Sequence, residues 1–230
     1  MDKACAPIAE YIIKIKGPNR MDIKQLVDIL LDFGGEKILN YCEEELKKGT
    51  SPYKIFTDLS EGLEEIGRKY ESGRYFTSDL IVSGSNMKKA VENLRPLFKQ
   101  DTSQVKGKVL IGTVQGDVHD IGKIIFSMML QSKGFEVIDL GVDVNINTFI
   151  EGIEKFHPDI LAMSTLLTST QSNMEEVIKA LEKASLRDKV KIIVGGRPVD
   201  KKFAAIIGAD AYGRDAVEGV RECLSLLNGV

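Results

Sequence analysis

The 230-residue sequence has no tryptophan, six prolines, two histidines and three cysteines. The cysteines, Cys5, Cys42 and Cys223, are odd in number and far apart. They form neither a disulfide framework nor a CxxC pair for zinc or redox work. No apolar run reaches the roughly 18 residues of a membrane span, so no membrane partner is expected. The formal net charge is −3. Neutralising phosphates takes a basic surface, so no nucleic-acid partner is expected either. The opening MDKACAPIAEYIIKIKGPNR lacks the basic-then-apolar order of a secretory signal, and the expectation is a cytoplasmic protein. What is there is ordinary globular material, 43% hydrophobic and 28% charged, enough for one large domain or two small ones.

The two halves carry different periodicities. The first hundred residues contain no convincing strand. Ile23, Leu26, Val27, Leu30 and Leu31 follow the three-and-four spacing of a helix with one buried face. A second helix is predicted over roughly 36–48, ending at Gly49. Ser51 then offers an N-cap with Pro52 at the first helical position. That helix runs through Ile55, Leu59, Leu63, Ile66 and Tyr70 to Gly73. A further helix is predicted from about Ser78 to Phe98, with Pro96 near its end. From Lys108 the pattern becomes KVLIGTV, EVIDLGV, DILAMST, KIIVGG and a short ADAY, spaced by helical segments. Strands alternating with helices indicate a parallel sheet buried on both faces. The expected organisation is a helical domain over 1–100, a polar linker over 101–107, and an α/β domain over 108–230.

GDVHDIGK, residues 116–123, lies between the first strand and the helix that follows it. Ligands of open α/β sheets bind outside the carboxyl ends of the strands, at a topological switch point. His119 is therefore where such a fold places chemistry, with Gly112, Gly116 and Gly122 around it. Asp117, two positions earlier, is placed to accept the proton of one ring nitrogen, leaving the other basic for a metal. One histidine is too few for zinc, which takes three or four protein ligands. It suffices for a metal whose other ligands come from a macrocycle, as in haem and corrinoids. The alternative is a turn histidine hydrogen-bonded for stability alone. His157, in FHPDI, reads as a solvated loop residue. Glu43, Glu44 and Glu45 read as a solvated helix face. Cys42 and Cys223 read as small core residues.

Asp117-Val118-His119-Asp120-Ile121-Gly122 reads D-x-H-x-x-G and resembles the signature of base-off/His-on cobalamin-binding domains. Ser164-Thr165-Leu166 is similar to that family's S-x-L after the third strand, and Gly195-Gly196 to its paired glycines after the fourth. Gly73-Arg74-Tyr75-Phe76, with SDLIVSGSNMKKAVENL beyond it, resembles the helical cap of methionine synthase and of the corrinoid proteins of methyltransferase systems. Two positions depart from the family. Arg197 stands before Pro198 where a small residue is usual. Thr77-Ser78 replaces a proline after the cap aromatic, and either residue is able to cap the helix.

The resemblance implies an α plus α/β architecture: a helical bundle, then a doubly wound, five-stranded, Rossmann-like or flavodoxin-like domain. It implies cobalamin as cofactor, alternating between a Co(I) corrinoid and methylcobalamin. His119 would be the lower axial cobalt ligand, with Asp117 on its other nitrogen and Ser164 extending the hydrogen-bonded chain. Gly116, Val118, Asp120, Ile121 and Gly122 would complete the cofactor loop. The nucleotide tail would lie between sheet and helix, with room left by Gly122, Gly195 and Gly196 and contacts from Ser164, Leu166 and Thr168. Phe76, Leu80 and Met87 would shield the upper face of the corrin.

The function so implied is a methyl carrier. Its partners would be a substrate-specific methyltransferase, a second methyltransferase passing the methyl to a thiol or tetrahydrofolate-type acceptor, and a reductive activator of the corrinoid. The alternatives are the cobalamin subunit of an adenosylcobalamin-dependent mutase and a cobalamin-dependent sensor. A sensor would need a winged DNA-binding domain with a basic recognition helix ahead of the cap, and no such helix is read there.

Overall fold

The computed structural model describes residues 21–98 and 105–228. Cys5 and residues 99–104, which include most of the expected linker, lie outside them. The chain divides into two compact units, one ending at Leu94 and the other beginning at Arg95.

The first unit holds α1 (Ile23–Leu30), α2 (Glu36–Lys47), α3 (Pro52–Glu71) and α4 (Thr77–Leu94). Asp22 caps α1 in a reciprocal box with Gln25, and Ser51 caps α3 ahead of Pro52, as its sequence predicts. Each helix buries one stripe: Leu26, Val27 and Leu30 in α1, Ile55, Leu59 and Ile66 in α3, Met87, Ala90, Val91 and Leu94 in α4. Tyr70, expected on the buried stripe of α3, is instead exposed in its last turn. α4 also differs from expectation at both ends. Asp79 holds its start by accepting the Phe76 N–H at 2.7 Å, so the cap is not a hydroxyl of Thr77 or Ser78. It stops at Leu94 and continues only as a 3-10 turn, Arg95–Leu97, because Pro96 has no N–H to extend the α ladder.

The second unit alternates strands and helices: β1 (Gly107–Thr113), α5 (Ile121–Ser132), β2 (Phe135–Asp139), α6 (Ile146–Phe156), β3 (Ile160–Ser164), α7 (Ser172–Lys183), β4 (Lys191–Gly195), α8 (Lys201–Ile206), β5 (Ala211–Gly213) and α9 (Ala216–Asn228). The strands pair in parallel in the order β2-β1-β3-β4-β5, the doubly wound sheet expected. Gly107, expected to end the linker, is already paired with Phe135 in the sheet. The period-two alternation of the strands divides the core. Val109, Ile111, Ile160, Ala162 and Ile193 face one layer with Leu130, Val220 and Cys223. Leu110, Leu161, Met163, Ile192 and Val194 face the other with Phe149, Met174 and Ile178. The direction in which successive strands are added reverses between β1 and β3, which opens a crevice above their carboxyl ends.

Candidate functional site

The loop after β1 begins with a sharp turn at Gly116, whose φ of 83° is a left-handed angle that favours glycine. That turn sends Asp117 inward, where it is 0% exposed, and leaves His119 on the surface with its side chain 48% exposed. Asp117 Oδ1 accepts the His119 N–H at 3.0 Å and meets the imidazole Nδ1 at 2.7 Å. Asp117 Oδ2 accepts the Thr165 hydroxyl at 2.8 Å and the N–H groups of Leu166 and Leu167 at 2.6 and 3.2 Å. Thr165 Oγ1 lies 2.6 Å from Thr170 Oγ1, so a polar chain runs His119–Asp117–Thr165–Thr170.

Burial works to raise the Asp117 pKa, but the donors from His119, Leu166 and Thr165 together hold the carboxyl well below the usual carboxylate range. An ionised carboxylate only accepts, so Nδ1 carries the ring proton and Nε2 presents its lone pair outward. This is the geometry of a metal-ligating histidine whose tautomer a carboxylate fixes.

Thr165, and not Ser164, extends the chain from Asp117. The reason is strand alternation: Ser164 ends β3 on the face it shares with Ile160 and Ala162, while Thr165 turns the other way. Ser164 instead lines a trench between α5 and α9. The trench has an empty volume of about 600 Å³, including its open mouth, and Gly122, Gly195, Gly196, Gly213, Ala216 and Gly219 line it beside larger side chains such as Phe126 and Ile193. A Cβ at Gly122 would meet nothing within 4 Å, so that wall is open space. Gly196 answers a tighter demand. At its φ of 123° a Cβ would stand 1.8 Å from the Thr165 carbonyl oxygen, so this glycine lets β4 close against the loop that positions Thr165.

The other candidate residues differ in their exposure. Thr168, in the 3-10 turn Thr168–Thr170, is exposed and is not among the trench-lining residues. Met87 is fully buried with Ala90, Val91 and Leu94. Leu80 is half-buried, and Phe76 is 72% exposed. Around His119 the loops expose Val118, Val142, Leu166 and Leu167, an apolar rim at the carboxyl edge of the sheet. Asp120 and Ile121 open α5, whose next residue is Gly122.

Sequence reasoning missed Thr165, hidden as the middle residue of S-x-L, and Lys123. Lys123 is 3% exposed inside an apolar helix face and pairs with Asp139 at the end of β2, tying the first turn of α5 to the sheet. His157 is exposed and ends α6 in a left-handed C-cap, with a φ of 47°. It precedes β3, so it lies at the opposite edge of the parallel sheet from His119. Among the described residues no group of three or more His, Cys, Asp or Glu could hold a metal ion, which leaves His119 as a single donor.

Comparison with known proteins identifies the family. Residues 107–221 match a B12 binding domain family, and residues 22–95 match a second B12 binding domain family. The chain belongs to the B12-binding corrinoid proteins. It is 36% identical to trimethylamine corrinoid protein 1 of Methanosarcina acetivorans, over 89% of this chain and 96% of that protein. It is 38% identical to the dimethylamine corrinoid protein of Methanosarcina barkeri, over 89% of this chain and 97% of that one. The solved structure of the Methanosarcina barkeri monomethylamine corrinoid protein superposes with a TM-score of 0.81 at 32% identity, covering 88% of this chain and 96% of that one. Cobalamin is accordingly the cofactor, and the residues present fit it. His119 supplies one nitrogen, the rim of Val118, Val142, Leu166 and Leu167 matches an apolar macrocycle, and the glycine-walled trench has room for a tail. No helix among the described residues is long and apolar enough to cross a membrane.

Proposed function

We propose that this chain is the methyl-carrying subunit of a methylamine methyltransferase system, with His119 as the lower axial ligand of its cobalamin. The observation that carries the reading is the Asp117-gripped imidazole opening beside a glycine-walled trench. Bound there, the corrinoid supplies a cobalt that takes up and gives up a methyl group. The protein's own residues do the rest. His119 Nε2 would hold the metal. Asp117 fixes the tautomer, and Thr165 and Thr170 hold Asp117. Gly122, Ser164, Gly195 and Gly196 flank the tail. The pair would keep its proton at Nδ1, and Asp117's hold on that proton would tune how strongly Nε2 donates to the metal.

The helical unit serves as the cap, with Phe76 and Leu80 as its candidate contacts. The relatives named for trimethylamine, dimethylamine and monomethylamine support a methylamine as the methyl source. The partners are a substrate-specific methyltransferase, a second methyltransferase serving a thiol or tetrahydrofolate-type acceptor, and a reductive activator. The test is anaerobic methylation of the purified, cobalamin-loaded, reduced protein with each methylamine and its methyltransferase, followed by visible spectroscopy. Conversion with at least one methylamine is expected. Conversion only with methanol or a methoxylated aromatic, with their own methyltransferases, would overturn the donor assignment.

A further inference from the structure

The loop after β2 contains one of the described residues that hold a left-handed backbone without being glycine. Asp143 has a φ of 53°. Its carboxylate accepts the Gly116 N–H at 2.7 Å, and its own N–H donates to the Asp117 carbonyl oxygen at 2.9 Å. Both ends of the Gly116–Asp117 unit are thus held by one residue. The surrounding backbone reinforces the contact: Thr113 N–H donates to the Gly141 carbonyl at 3.1 Å, and Val144 N–H to the Thr113 carbonyl at 3.0 Å. The loop therefore runs on beside the His119 loop, past the end of the β1–β2 pairing, with Val114 and Val144 bridged in parallel.

An aspartate at a left-handed angle carries a conformational cost that glycine would avoid. Gly141, two positions earlier in the same loop, takes its left-handed angle as glycine. A conformational need alone would be met at position 143 in the same way. What glycine cannot supply is the acceptor for Gly116.

We propose that Asp143 is a positioning residue for the axial ligand. It clamps the Gly116–Asp117 turn, so that Asp117 stands where it fixes the His119 ring with Nε2 outward. Asp143 does not touch His119 and acts through the turn, and the inference rests on the reading of His119 as the cobalt ligand. Asparagine tolerates the left-handed angle and keeps an acceptor oxygen. Glycine keeps the angle and loses the acceptor. The two replacements separate backbone conformation from hydrogen bonding.

The experiment uses full-length cobalamin-loaded protein as wild type, Asp143→Asn and Asp143→Gly, with folding checked by circular dichroism. Electron paramagnetic resonance of the Co(II) form measures the fraction with histidine nitrogen on cobalt. Hydrogen exchange of the Gly116 amide is followed in the cobalamin-free protein. Asp143→Gly is expected to weaken ligation about tenfold, the lower end of the loss when the outer partner of a metal ligand is removed, and to deprotect the Gly116 amide. Asp143→Asn is expected to retain both properties. Unchanged ligation in Asp143→Gly, or equal loss in both variants, overturns the inference while His119 stands as ligand. A wild-type protein without histidine nitrogen on cobalt overturns the axial-ligand reading, and this inference with it.

Discussion

The two histidines sit at opposite edges of one parallel sheet, and the contrast separates an imidazole ordered by a buried acid from one that caps a helix. His119 follows the carboxyl end of β1, where the divergence of the chain between β1 and β3 leaves a crevice. Its Nδ1 is held at 2.7 Å by a carboxylate that is itself fully buried. His157 precedes the amino end of β3 and serves as the C-cap of α6, with a backbone N–H bond to Ile153 and an exposed ring. Exposure is common to both. What differs is a buried acid that orders one ring and not the other, and a trench beside it.

The sharpest way to break the contrast is to remove each imidazole in turn. His119→Ala is expected to abolish the His-on spectrum of the Co(II) protein while weakened cobalamin binding persists through the trench. His157→Ala is expected to leave the spectrum unchanged. A His-on spectrum surviving in His119→Ala would move the ligand elsewhere.

Removing the acid comes next. Asp117→Ala removes the buried acceptor of the Leu166 and Leu167 N–H groups and of the Thr165 hydroxyl. It is expected to lower stability by about 3 kcal/mol, since stranded buried donors cost about 1–3 kcal/mol each. Urea denaturation measures this, and a loss under 1 kcal/mol would contradict the buried network.

The acid also sets a pH signature. Because the folded Asp117 carboxyl lies below its unfolded value, its contribution is fully present above the ordinary carboxylate pKa of about 3.9 and is lost as pH falls toward the folded value. The stability difference between wild type and Asp117→Asn is therefore expected to stay flat above pH ~5 and to shrink below pH ~4. A difference that changes between pH 6 and 8 would point to another group.

Thr165→Val, which removes one neutral donor to Asp117, is expected to cost about 1 kcal/mol, with Thr165→Ser restoring most of it. Smallest is His157→Gly. The left-handed C-cap favours glycine, so stability should change by no more than about 1 kcal/mol, and upward.

Much of this site was legible in the sequence because the motif residues lie at strand ends, where the α/β pattern alone puts chemistry. Runs such as KVLIGTV and DILAMST indicate the parallel sheet, and the doubly wound five-stranded fold comes with the family resemblance. What was not legible depends on which way single side chains turn. Ser164 and Thr165 are adjacent and both carry hydroxyls, and only the register of β3 decides which of them reaches Asp117. Met87 and Phe76 share an amphipathic helix region, and only packing shows one buried and the other exposed. Asp143 and Lys123 lie 26 and 6 residues from Asp117 in the chain, and their contacts exist only once β2 has paired with β1.

His119 Nε2 is proposed as the one protein ligand to the cobalt. Electron paramagnetic resonance of the Co(II) protein, with histidine labelled by nitrogen-15, tests it directly. The account predicts that the hyperfine pattern of a single axial nitrogen changes with the label and disappears in His119→Ala. A pattern indifferent to the label would contradict it.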